Sequence, residues 1–207
     1  FRFQDRVTES GIRFRHRIVD DAGRDYKAVH YDHGNGLSAA DVDGDGLYDL
    51  YFTTQVGDNQ LWRNLGNGRF EDITTAAGVA VGDRISVTGT FADYDNDGDP
   101  DLFVTTVKMG NLLFQNDGKG RFLDVTKAAG VEYVGHSSGA VFFDYDRDGL
   151  LDLFVANVGV YTTPRQGREG YFVGVEQAFS GHLFEERTET SLLYRNLGDG
   201  RFEEVSK

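Results

Sequence analysis

The amino-acid sequence predicts an all-β fold of propeller type, assembled from four-stranded units of about 51 residues. Three observations carry that expectation. A nine-residue acidic phrase occurs three times: Asp41-Val-Asp-Gly-Asp-Gly-Leu-Tyr-Asp49, Asp93-Tyr-Asp-Asn-Asp-Gly-Asp-Pro-Asp101 and Asp144-Tyr-Asp-Arg-Asp-Gly-Leu-Leu-Asp152. A glycine-rich companion recurs as Asn59-Gln-Leu-Trp-Arg-Asn-Leu-Gly-Asn-Gly-Arg-Phe70, Asn111-Leu-Leu-Phe-Gln-Asn-Asp-Gly-Lys-Gly-Arg-Phe122 and Ser191-Leu-Leu-Tyr-Arg-Asn-Leu-Gly-Asp-Gly-Arg-Phe202. The spacing is periodic, 52 residues from Asp41 to Asp93 and 51 from Asp93 to Asp144.

The acidic phrase reads as a cation loop. Carboxylates at positions 1, 3, 5 and 9 crowd four negative charges into nine residues, which repel unless a cation lies among them. Hard oxygen donors without nitrogen or sulfur point to Ca²⁺. Gly46, Gly98 and Gly149 at position 6 allow the sharp turn. Position 7 (Leu47, Asp99, Leu150) offers its backbone carbonyl. The expected ligand sets are Asp41, Asp43, Asp45, Leu47 and Asp49; Asp93, Asp95, Asp97, Asp99 and Asp101; and Asp144, Asp146, Asp148, Leu150 and Asp152. An EF-hand would need a bidentate Glu at position 12 between two helices. Phe52, Val104 and Val155 stand there, within β-branched and aromatic runs that read as strands. Each loop is therefore the turn of a β-hairpin.

Asn-Gly and Asp-Gly turns between apolar runs make the companion phrase a second hairpin, so each unit supplies four strands. A third phrase links units: Phe70-Glu-Asp-Ile-Thr-Thr-Ala-Ala-Gly-Val79 returns as Phe122-Leu-Asp-Val-Thr-Lys-Ala-Ala-Gly-Val131, loosely at residues 1–12, and in part at Phe202–Ser206. The units fall at residues 1–34 (partial), 35–85, 86–135 and 136–207, one propeller region in all. The last carries an insertion at 157–190 with Tyr161, Tyr171, Phe172, Phe179, Phe184, Arg165, Arg168, Arg187 and His182. Closed propellers need at least four blades. The expectation is thus the N-terminal part of a longer propeller, the alternative being a short open array capped by a partner.

Composition narrows the function classes. The net charge is −13, and the three loops alone hold thirteen Asp, so three divalent ions would offset about half of it. Such acidity argues against a nucleic-acid partner. No run of about 20 apolar residues is present to span a bilayer as a helix. Cysteine is absent, so the fold does not depend on disulfides. Weak calcium sites fill where calcium is plentiful, which favours a secreted, cell-surface or periplasmic location.

On these phrases the chain resembles the FG-GAP/VCBS repeats of integrin α-subunit propellers, and more closely the ASPIC/UnbV and cartilage-acidic-protein group. There a phrase like Phe3-x-Asp5…Val7-Thr8…Gly11-Ile12-x-Phe14-x-His16 opens the propeller. The resemblance implies a calcium-stabilised module of adhesion or assembly in a group whose members are not usually known as enzymes.

Other candidates carry less. His30, Asp32 and His33 lack a further spaced ligand, and a solvated loop is the stronger reading. His136 precedes the strand leading into the third acidic loop, and His182 lies in the insertion. P-loop and dinucleotide motifs are missing. Trp62, Phe114 and Tyr194 share one repeat position and read as packing between blades. The insertion is either a recognition loop for a protein or glycan partner or a lid over its own propeller. The leading expectation is a calcium-stabilised interaction module. The alternatives are a glycan-active or redox enzyme, and a structural subunit of an oligomer or larger assembly.

Overall fold

The computed structural model describes residues 2–19, 36–166, 172–175 and 185–206. Each acidic loop joins the first two strands of a four-stranded antiparallel sheet, and each glycine-rich loop joins the last two. Blade 1 comprises β1 (Leu37–Ala40), β2 (Asp49–Phe52), β3 (Gln60–Asn64) and β4 (Phe70–Asp72). Blade 2 repeats this with β5 (Ser86–Ala92), β6 (Asp101–Thr106), β7 (Leu112–Asn116) and β8 (Phe122–Asp124). In blade 3 the sheet order is β14-β13-β10-β9, from β9 (Ser137–Phe143), β10 (Asp152–Asn157), β13 (Leu192–Asn196) and β14 (Phe202–Glu204). The insertion adds a separate pair, β11 (Thr162–Gln166) with β12 (Phe172–Gly174). Register is equivalent between blades: Leu50 faces Trp62, Leu102 faces Phe114 and Leu153 faces Tyr194.

The linking phrase also has a local reason. The Asp72 carboxylate accepts the Thr74 N–H, and the Thr74 hydroxyl accepts the Leu61 N–H at 2.9 Å. This starts a one-turn helix, α2 (Thr74–Ala77), after α1 (Val7–Ser10) near the N-terminus. Asp124, Thr126 and Leu113 do the same for α3 (Thr126–Ala129). Gly78 and Gly130 end these turns at φ 80° and 75°, where an L-residue is strained. They also bring the chain against the next blade: a Cβ on Gly78 would sit 3.3 Å from the Phe122 carbonyl oxygen, and one on Gly130 3.2 Å from that of Phe202.

The blades stack face to face, and the apolar core is divided between the two joints. Tyr51, Leu61 and Val79 meet Leu102, Val104 and Phe114 at the first. Phe103, Leu113 and Val131 meet Leu153, Val155 and Tyr194 at the second. Phe114 and Tyr194 thus pack between blades as expected. The central strand β6 is buried at all six positions because blade 2 has a neighbour on each side. On the outer side of blade 3, Val141, Phe143 and Tyr145 remain exposed. Among the described residues the propeller-like blades form a stack of three with no closed ring.

Candidate metal centres

The three acidic loops fold by one internal scheme. The position-1 carboxylate caps its own turn: Asp41 Oδ1 and Oδ2 accept the Asp45 and Gly46 N–H groups at 3.1 and 2.8 Å. Asp93 and Asp144 repeat this with the N–H groups of Asp97 and Gly98, and of Asp148 and Gly149. At position 9, Asp49 accepts the Val42 N–H at 3.0 Å and the Asn64 N–H at 2.7 Å. Asp101 and Asp152 do the same with Tyr94 and Asn116, and with Tyr145 and Asn196. Position 9 therefore fastens the loop to the third strand of its own blade. Position 4 is left-handed in every copy: Gly44, Asn96 and Arg147 have φ of 73°, 60° and 66°.

Oxygen donors converge within 4.8 Å of one another in each loop. The groups are Asp41, Asp43 and Asp45; Asp93, Asp95 and Asp101; and Asp144, Asp146 and Asp152. Of the sequence-predicted ligands, Asp49, Asp97, Asp99 and Asp148 lie outside these groups. Asp97 Oδ1 and Asp148 Oδ1 instead accept the N–H two residues on, at 3.0 and 2.9 Å. Burial pushes the Asp101 carboxyl up to about 7, against the pull of its two backbone hydrogen bonds and reinforced by the charges of Asp95 and Asp97. Burial likewise raises Asp49 and Asp95. Asp43 Oδ1 and Asp95 Oδ1 are buried without a hydrogen-bond partner. Carboxylate oxygens that are shut from water, unpaired and set beside further carboxylates fit the ligand set of a hard divalent cation.

Sequence reasoning missed the residues that hold these loops from outside. Asn116 Nδ2 donates to Val42 O at 2.9 Å, and Asn196 Nδ2 to Tyr94 O at 2.7 Å, each reaching the acidic loop of the preceding blade. The recurrence of Asn64, Asn116 and Asn196 in one phrase was the available signal.

A second polar cluster was also missed. His136, 1% exposed, has Nδ1 2.7 Å from Glu189 Oε1 and Nε2 2.7 Å from Thr162 Oγ1. The His136 N–H donates to Glu189 Oε2 at 2.6 Å, and the Tyr161 ring lies 4.4 Å from the imidazole. The order hydroxyl–imidazole–carboxylate matches a nucleophilic triad. Thr162, however, is 1% exposed, so the cluster anchors the insertion rather than facing a substrate. Tyr161 packs beside Val107 and Ile85, and Lys108 Nζ lies 5.1 Å from the centre of the Phe172 ring, which ties both residues to the neighbouring blade 2. His30, Asp32, His33, Arg168, Tyr171, Phe179, His182 and Phe184 lie outside the described residues.

The model of the FG-GAP-like repeat matches residues 41–104 and 93–155, which together span more than half of the 207 residues. The chain belongs to the FG-GAP-like repeat family. Among curated proteins, this FG-GAP-like chain is 27% identical over 138 residues to cartilage acidic protein 1 of Homo sapiens, a stretch covering 61% of the chain and 21% of that protein. The Mus musculus protein gives the same figures, and that of Xenopus tropicalis is 26% identical over 146 residues, covering 60% and 21%. The aligned stretch is about a fifth of the length of these relatives. Among solved structures, an Agrocybe aegerita lectin studied for recognition of non-reducing terminal N-acetylglucosamine aligns with TM-score 0.42 at 18% identity, covering 83% of this chain and 37% of that one.

Proposed function

We propose that the three FG-GAP-like loops bind Ca²⁺ and that the calcium-loaded blades serve as an interaction module outside the cytoplasm. The observation that carries this reading is the pair of buried, partnerless oxygens, Asp43 Oδ1 and Asp95 Oδ1, each beside further carboxylates. The proposed ligands are Asp41, Asp43, Asp45, the Leu47 carbonyl and Asp49 in the first loop, with the corresponding positions 93–101 and 144–152 in the others. Bound Ca²⁺ supplies positive charge that relieves the mutual repulsion of these carboxylates. The chain's own contribution is to preform each turn through its position-1 cap. Position 9 then couples that turn to the blade, so occupancy of a loop stabilises the fold.

Part of the insertion, Tyr161 and Phe172, is committed to its own scaffold, while Arg165 is exposed. A protein or glycan partner would therefore meet the outward side of this hairpin. Calorimetric titration of chelator-treated protein with calcium tests the reading, with thermal melting in parallel. Three bound ions and a rise in melting temperature are expected. Absence of heat together with an unchanged melt would refute it.

A further inference from the structure

The carboxylate at position 3 of each loop is gripped from the third strand of the same blade, and the gripping residue differs. Arg63 Nη1 lies 3.9 Å from Asp43 Oδ2 in blade 1. Gln115 Nε2 donates to Asp95 Oδ2 at 2.6 Å in blade 2. Arg195 Nε lies 3.0 Å from Asp146 Oδ2 in blade 3, with Nη2 3.9 Å from Asp148 Oδ2. These three residues occupy one repeat position, each just before the recurring asparagine Asn64, Asn116 or Asn196.

Their charges are deployed differently. Arg63 also pairs with Glu71, its partner across the sheet, so part of its charge is spent away from the loop. Arg195 directs two of its nitrogens at loop carboxylates. Gln115 is neutral and faces Leu123 across the sheet, and its loop holds a fifth aspartate, Asp99. No ion pair to the middle loop is seen among the described residues, and its position-3 carboxylate is oriented by an amide. The outer loops already hold a cation of their own.

We propose that this position ranks the three loops in cation affinity, the middle loop binding first and most tightly and the third loop last. The proposal rests on the calcium reading of the loops. An incoming divalent ion meets a fixed positive charge at the outer loops. At a separation of about 6 Å in a water-like medium, that repulsion weakens binding roughly tenfold. A neutral orienting amide imposes no such penalty and holds the ligand oxygen in place. The ion also loosens an existing ion pair in the third loop, where the guanidinium is the more committed.

Stepwise calcium affinities of the full chain, measured by calorimetry and by competition with a chromophoric chelator, test the ranking. Gln115→Arg is expected to weaken the tightest step about tenfold, an effect that shrinks as ionic strength rises. Arg195→Gln is expected to strengthen the weakest step by a similar factor and to leave the tightest unchanged. Asp95→Asn should remove the tightest step. Circular dichroism monitors folding; should Gln115→Arg not fold, Arg195→Gln decides alone. Three wild-type calcium steps with unaltered affinities in the charge variants would overturn the ranking, as would loss of a weaker step in Asp95→Asn. A wild-type chain that binds no calcium would instead overturn the calcium reading itself.

Discussion

Asn116 offers the sharpest test of how the blades are held together. Its side chain is buried, with Nδ2 donating to Val42 O at 2.9 Å and Pro100 O at 3.1 Å, while Oδ1 accepts the Gly118 N–H at 3.2 Å. Replacement by alanine removes three hydrogen bonds and leaves the Val42 carbonyl without that partner inside the joint. At about 1 kcal/mol per neutral hydrogen bond, the three bonds come to about 3 kcal/mol. Asn64 is the internal control, because its Nδ2 donates to Tyr48 O of its own blade and its Oδ1 accepts the Gly66 N–H. No bond from Asn64 to another blade is seen among the described residues, and its two more exposed bonds, at about 0.5 kcal/mol each, put the cost of Asn64→Ala at about 1 kcal/mol. For a chain of this size each kcal/mol lowers the melting temperature by about 2–4 °C. Calorimetric melting should therefore show a fall of about 6–12 °C for Asn116→Ala and about 2–4 °C for Asn64→Ala. Equal shifts in the two variants would refute the idea that the amide acts as a strut between blades.

Two further outcomes follow from particular contacts. Phe103 is fully buried at the second joint, with its ring edge-on to Phe142 at 6.3 Å. Phe103→Ala should cost about 3–5 kcal/mol in denaturant unfolding, whereas exposed Leu123→Ala should stay within about 0.5 kcal/mol. Glu189 is raised by burial, yet the hydrogen bonds from the His136 ring and backbone and the charges of His136 and Lys108 bring it below 4.5. A carboxyl depressed in the folded state stabilises the fold above its unfolded value and loses that contribution as pH falls through the folded one. Urea midpoints for the wild type should thus drop on acidification below about pH 4.5, and Glu189→Gln should remove that part of the slope.

Much of this architecture was legible because repetition reports geometry. Three copies of one loop and one hairpin phrase placed strands β1–β8, with only one-turn helices between the units. The linking phrase was visible as a repeat but not as a structure. Its Asp-x-Thr reads as composition until the Thr74 hydroxyl is seen to accept the Leu61 N–H, thirteen residues away. The grip of Gln115 on Asp95 crosses 20 residues, and that of His136 on Glu189 crosses 53. No local pattern announces such pairs, since chain separation and spatial separation are independent there. Position 9 was read as a ligand like any other. The backbone hydrogen bonds that occupy Asp49, Asp101 and Asp152 depend on how the third strand returns, which the nine-residue phrase does not encode.

The direct pairing of β10 with β13 bears on how such a chain can diversify. In blade 2 the corresponding strands are joined by a short turn from Val107 to Asn111; in blade 3 a long excursion from Val158 to Ser191 leaves and comes back to the same ladder. Closure entropy grows only with the logarithm of length, so this detour adds about 2 kcal/mol. The His136–Glu189–Thr162 clasp at its root helps offset that cost. The blade thus behaves as a mounting bracket: whatever is threaded between those two strands can be lengthened, shortened or exchanged while the ladder beneath keeps its register.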